Sequence, residues 1–238
     1  MFRDLEGEYK PGGFRRQVSR YDVYHQRVTR KYRLKRRAER RDDTRQRIVD
    51  AAIELHQTVG PAATTISDIA DRAGVGRVTV YRHFPDELTL FRACSGSYVQ
   101  RNPLPDPQHW HEISDPLQRL RSALMEVYEY HRTHEAIFTH VLADLRDHEV
   151  MTPYRAHWGR AADVLVAPWR ARGRRRALLR AGIGLALSFD AWRSLVRDHG
   201  LSNRQAVDVA LRLAIDLPAA EVAELPVPDL AAGSTQPL

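Results

Sequence analysis

The stretch at 68–84, DIADRAGVGRVTVYRHF, decides how this chain is read. It holds two short pieces with helical spacing, joined by a turn that contains Gly74 and Gly76. The first piece follows Thr65 and lines up Ile66, Ile69, Ala70 and Ala73, the three- and four-residue steps of an amphipathic helix. Thr65 suits the N-cap, and Asp68 three residues on is close to a capping box. Gly74 stands where a left-handed residue closes a helix. The second piece runs from about Gly76 to Phe84, and Pro85 stops it. It carries two evident core residues, Val80 and Phe84, four apart. Arg77, Val78, Thr79, Tyr81, Arg82 and His83 are left for the outside. Two helices of about eight residues around a tight Gly turn make a helix-turn-helix. The second helix of such a unit lies in the major groove of DNA and shows its first residues to the base edges. Arg77, the first of them, can fork onto a guanine, and the hydroxyls of Thr79 and Tyr81 suit phosphate oxygens.

Outward from this stretch the pattern stays helical. From Asp43, the residues Ile48, Ala51, Ala52, Leu55 and Val59 recur at helical steps until Gly60-Pro61. Asp86 caps a fourth helix that reaches Tyr98 to Arg101. The proline-rich segment 102–110 reads as a loop, and Ser114-Asp115-Pro116 restarts the helix with Pro near its first position. Further helices are expected with Leu117, Leu120, Leu124, Val127 and His131 on one face, then around Ile137, Phe138, Val141, Leu142 and Leu145, then over 154–172 and 174–199, the last being the longest. Ser202-Asn203 caps a final helix with Val207, Ala210, Leu211, Ala214 and Leu217 on its apolar face. No segment alternates as a strand does. The expected fold is all-α with about nine helices. The expected domains are a basic flexible leader or arm at 1–41, a DNA-binding head at 42–101, a helical domain at 102–217 and a disordered tail at 218–238.

Charge separates the same parts. Residues 1–92 hold 20 Lys and Arg against 13 Asp and Glu, and residues 93–238 hold 17 against 17. The whole net charge of +7 therefore sits in the first two-fifths of the chain, which points to a polyanion partner for that part. Within it, 27–47 packs 11 basic residues with three acidic ones. It reads as an arm lying along nucleic acid through Lys35, Arg36, Arg37, Arg40 and Arg41, with Arg45 closer to the head. The alternative for 1–41 is a start codon assigned upstream of the true one.

The longest apolar run, 181–187, is far short of the roughly 18 residues of a membrane span, and the acidic residues of MFRDLEGEYK do not fit a signal peptide. Cys94 is the single cysteine, so no intramolecular disulfide is possible and a cytoplasmic address is expected. Set among apolar residues, Cys94 reads as a core thiol. His131, His134 and His140, and His109 and His111 around Trp110, lack the partners and spacing of a zinc site, so neither metal nor cofactor is expected. No nucleophile elbow, zinc-protease motif or P-loop occurs, and GIGLAL at 182–187 lacks the third glycine of a dinucleotide loop. An enzyme is not expected.

The segment TTISDIADRAGVGRVTVYRHFPDELTLFRA at 64–93 resembles the signature of the tetracycline-repressor (TetR) family of bacterial transcription regulators. Thr65, Ile69, Ala70, Ala73, Gly74, Val75, Thr79, Tyr81, Phe84, Leu90 and Phe91 carry the resemblance, which covers roughly 43–95. It implies a DNA interface at Thr65, Arg77, Thr79, Tyr81 and His83. It also implies a C-terminal domain that binds a small effector and forms a homodimer through the last two helices, and hence a repressor released from a palindromic operator. Two positions depart from the pattern. Gly76 stands where the family often has Ser, and Glu87, preceded by Asp86, where it usually has a phosphate-touching Lys. Effector candidates are the large, partly polar Tyr128, Phe138 and Trp158. The competing reading is a sequence-indifferent nucleic-acid binder driven by the basic arm.

Overall fold

In the computed structural model the described residues are 20–216, with side chains from Tyr32 to Ile215. The first 19 residues of the expected leader and the expected tail at 218–238 lie outside them. Two structural units divide at Arg47 and Ile48. Among the described residues there are eleven α-helices and no strand.

Helix α1 spans Arg20–Thr58, starting well before the Asp43 expected from the apolar pattern. Nothing between these positions breaks a helix: the span has no Gly or Pro and is rich in Arg, with Lys31 and Lys35 besides, both good helix-forming residue types. Arg36 sits over the Tyr32 ring at 5.8 Å, and Lys35 pairs with Glu39 at i,i+4. Hydrophobic periodicity, the signal used to find helices, is absent there, and the described side chains from Tyr32 to Asp43 are all exposed. In the second unit, the end of α1 supplies Ile48, Val49, Ala52 and Ile53 to a core. Val59, one residue past the last turn, is half exposed and not a core residue.

That core receives α2 (Ile66–Ala73), α3 (Arg77–His83) and α4 (Glu87–Arg101). Thr65 and Asp68 form a reciprocal capping box, and Gly74 closes α2 at φ 65°. Asp86 caps α4 by accepting from the Thr89 N–H at 2.6 Å. Ile69, Ala70, Ala73, Val80, Phe84 and Leu90 bury together with Cys94.

A second core lies among α6 (Pro116–Thr133), α7 (Glu135–Leu145), α8 (Thr152–Val166), α9 (Gly173–Ala186), α10 (Phe189–Arg193) and α11 (Asn203–Asp216). The expected loop at 102–110 contains a five-residue helix, α5 (Pro107–His111). Asp106 caps it, Pro107 opens it, and Trp110 buries and donates to Glu126 at 2.7 Å. The buried Arg119 holds the α5–α6 connection by donating to the carbonyls of His111 (2.7 Å) and Ile113 (2.6 Å). Helix α8 ends before the expected Arg172: Pro168 cannot donate, and Arg170 turns left-handed at φ 50°.

The single long helix expected over 174–199 is broken at Leu187-Ser188. Ser188 accepts from the Ala191 N–H and starts α10. The carbonyls released at the break are taken by α6: Tyr128 O–H donates to Ala186 O at 3.1 Å, and His131 Nε2–H donates to Leu187 O at 3.1 Å. Periodicity along one segment does not report a partner some 60 residues away. Gly182 faces Ala214 so closely that a Cβ there would lie 3.1 Å from the Ala214 backbone. Gly182 thus serves α9–α11 packing within one chain.

Candidate nucleic-acid interface and effector cleft

Helix α3 is held by very little. Val80 is fully buried and Phe84 nearly so, while Val78 is 81% exposed and Tyr81 53% exposed. Arg77 and Arg82 are exposed as well, and Thr79 and His83 are half-buried. The N-cap is Gly76, with no side chain to bond the first turn. Val78 and Tyr81 thus leave apolar surface in solvent on a helix anchored by Val80 and Phe84.

Around α3, a crevice of about 400 Å³ is lined by Thr65, Arg77, Tyr81 and Glu87, with His56 and Phe91 deeper. Three of the sequence-selected residues, Thr65, Arg77 and Tyr81, are therefore gathered on one rim. The Thr65 hydroxyl is already committed, donating to Asp68 Oδ2 at 2.6 Å and accepting from the Asp68 N–H at 3.2 Å. The Thr65 hydroxyl, and after it the Thr65 backbone N–H at 3.0 Å, both donate to Asp68 Oδ2 and hold the Asp68 carboxyl below the usual carboxylate range. The Thr89 N–H does the same for Asp86, so Asp86 is first a helix cap. Arg45 and the arm residues Lys35, Arg36, Arg37, Arg40 and Arg41 belong to the other structural unit, where all but the half-buried Arg45 are exposed.

The three effector candidates separate. A cleft of about 450 Å³ opens beside Phe138. Tyr128 and Trp158 are not among its walls. Tyr128 is fully buried and spends its hydroxyl on Ala186 O; burial pushes its phenol far above the ordinary range. Trp158 packs 6.0 Å from the Tyr154 ring and 5.9 Å from that of His131. The cleft is walled by Ile53 and His56 of α1, Phe91 and Tyr98 of α4, Val141 and Leu145 of α7, and Tyr154 of α8. Composition offered no sign of these residues; apolar positions that line a cleft look the same in sequence as apolar positions that fill a core.

Helix α7 touches the head as well. Asp144 Oδ2 accepts the Ala62 N–H at 2.8 Å, and Gly60, at φ +88°, lies against Asp144 and His140. The turn that leads into α2 is thus fastened to the helix that walls the cleft. Of the other histidines, His134 Nδ1 is 2.8 Å from the Tyr98 hydroxyl, and burial holds His131 down to about 4. No group of three His, Cys, Asp or Glu residues is placed to hold a metal among the described residues, nor is any helix there long and apolar enough to cross a membrane.

Residues 48–94 match the family model for bacterial regulatory proteins of the tetR family. Over 96 residues the chain is 32% identical to the HTH-type transcriptional regulator TtgR of Pseudomonas putida, covering 40% of this chain and 46% of that one. Over 90 residues it is 33% identical to the HTH-type transcriptional activator FasR of Mycolicibacterium smegmatis, covering 38% and 41%. The match thus spans about half the length of these curated relatives. The crystal structure of a linker-substituted HlyIIR mutant protein aligns with a TM-score of 0.52 at 16% identity, over 73% of this chain and 97% of that one, a likeness of fold.

Proposed function

We propose that this chain, whose residues 48–94 match the family model for bacterial regulatory proteins of the tetR family, is a sequence-specific DNA-binding transcriptional regulator of that family, a dimeric repressor released from a palindromic operator by a small molecule. The observation that carries the reading is α3: a seven-residue helix with one fully buried side chain and a row of Arg, Val, Thr, Tyr and Arg on its outside. Arg77 reads a base edge, Thr79 and Tyr81 hold phosphates, and the exposed Val78 meets a thymine methyl or sugar. The basic length of α1 adds backbone contacts that carry no sequence information.

Dimerisation through α9 and α11 accounts for Leu185 and Leu213, which are 63% and 57% exposed, and for Leu178, also exposed on α9. Two-fold symmetry would set two α3 helices about one DNA turn, roughly 34–36 Å, apart. The effector occupies the cleft beside Phe138. Because α1, α4 and α7 all wall it, and Asp144 of α7 fastens the α1–α2 turn, a ligand that fits one arrangement of these helices better shifts the population of DNA-competent heads.

The test is selection of bound DNA from a random pool by the full chain at near-physiological salt. Enrichment of a palindrome with two half-sites supports a symmetric reader; enrichment of nothing, with binding lost as salt rises, would make the basic arm the binder instead. A reporter behind the selected site decides the sign: expression that falls on deleting the regulator would make it an activator.

A further inference from the structure

The cleft has one-sided chemistry. Phe91, Ile137, Phe138, Val141, Leu145 and Met151 make an apolar wall. No Asp or Glu lines it, whereas two arginines do, Arg92 and Arg160. Arg92 is occupied, with Nη2 3.3 Å from Glu149 Oε1. Arg160, on α8, is exposed at the cleft, and among the described residues it is in no ion pair. An apolar cleft of about 450 Å³ is the size of a small-molecule site. A guanidinium without a partner at its edge repels a cation and gains nothing from a neutral hydrocarbon. With an oxyanion it forms paired, charge-assisted hydrogen bonds. We infer that this cleft takes a small apolar molecule bearing one acidic group, with its aromatic or aliphatic body on Phe91, Phe138 and Leu145 and its anion at Arg160. The inference rests on reading this cleft as the effector site, and it names the ligand class.

Two fluorescent probes with the same aromatic body test it on the full chain: anilinonaphthalene sulfonate, an anion, and uncharged N-phenylnaphthylamine. The sulfonate should bind about tenfold more tightly than the neutral probe, at one per chain. Arg160→Met should remove about that factor for the sulfonate and leave the neutral probe unchanged. Gly96→Phe is the steric control. Gly96 lines the cleft on α4, and a Cβ added there meets nothing within 4 Å, so the ring fills the cleft without moving backbone. It should weaken both probes while circular dichroism stays that of the parent. Equal affinity for the two probes, or sulfonate binding untouched by Arg160→Met, would overturn the acidic class; sulfonate binding untouched by Gly96→Phe would place the probe elsewhere and overturn the site. Operator binding is measured on the same samples without probe. Its loss in the parent chain would sink the regulator reading and leave the class of ligand standing, so the two failures are distinguishable.

Discussion

Replacing Gly60 by alanine should cost about 2 kcal/mol, and the structure says why the cost is shared with a residue 84 positions away. Gly60 sits at φ +88°, where an L side chain is strained by about 1–2 kcal/mol. The new Cβ would also stand 2.9 Å from Asp144 Oδ2 and 3.3 Å from His140 Cβ. The carboxylate is the softer neighbour and must swing away. It then loses the Ala62 N–H, now 2.8 Å distant, which at this exposed place is worth about 1 kcal/mol. A gain of about 0.5 kcal/mol from a stiffer unfolded chain offsets part of this. The double-mutant cycle is diagnostic. Asp144→Ala alone should cost about 1 kcal/mol, but close to nothing in the Gly60→Ala background, where the bond is already gone. Urea unfolding of the four proteins measures the cycle. Additive costs would show that the clash and the hydrogen bond are independent, and a neutral Gly60→Ala would refute the reasoning outright.

Tyr128→Phe should cost about 1–3 kcal/mol in urea unfolding, because it strands Ala186 O in a fully buried site; a neutral result would mean that the carbonyl finds another donor. Burial holds His56 and His131 at about 4, down from the ordinary 6.5. Between these values the unfolded chain takes up protons that the fold refuses, so stability is full above about pH 6.5 and falls as pH drops toward 4, by on the order of 2 kcal/mol per histidine at about pH 4.5. A urea midpoint that does not change from about pH 7 to 4.5 would contradict this. Arg77→Ala should cost about 1–3 kcal/mol of operator affinity and relax preference at one site position, whereas a uniform loss across sequences would make Arg77 a phosphate contact. Deleting 1–41 should weaken binding to every sequence and flatten its salt dependence, and an unchanged salt slope would remove the arm from the interface.

The sequence by itself determined the head. Thr65, Asp68, Gly74 and Asp86 act within four residues of the groups they satisfy, so the capping box, the left-handed closure and the start of α4 are local chemistry and fall where the pattern puts them. The exposed composition of α3 was legible for the same reason: in seven residues only Val80 is fully buried. Long-range partners decided the rest. The break between α9 and α10 is tolerated because Tyr128 and His131 reach Ala186 and Leu187 from α6. The proline-rich connection folds into α5 around the buried Trp110, steadied by the carbonyl bonds of Arg119. The cleft exists because α4, α7 and α8 do not close on one another, a vacancy that no single segment encodes. The early start of α1 is the converse case: its described side chains at 32–43 are exposed and leave no period to read, and Arg and Lys with no breaker extend the helix all the same.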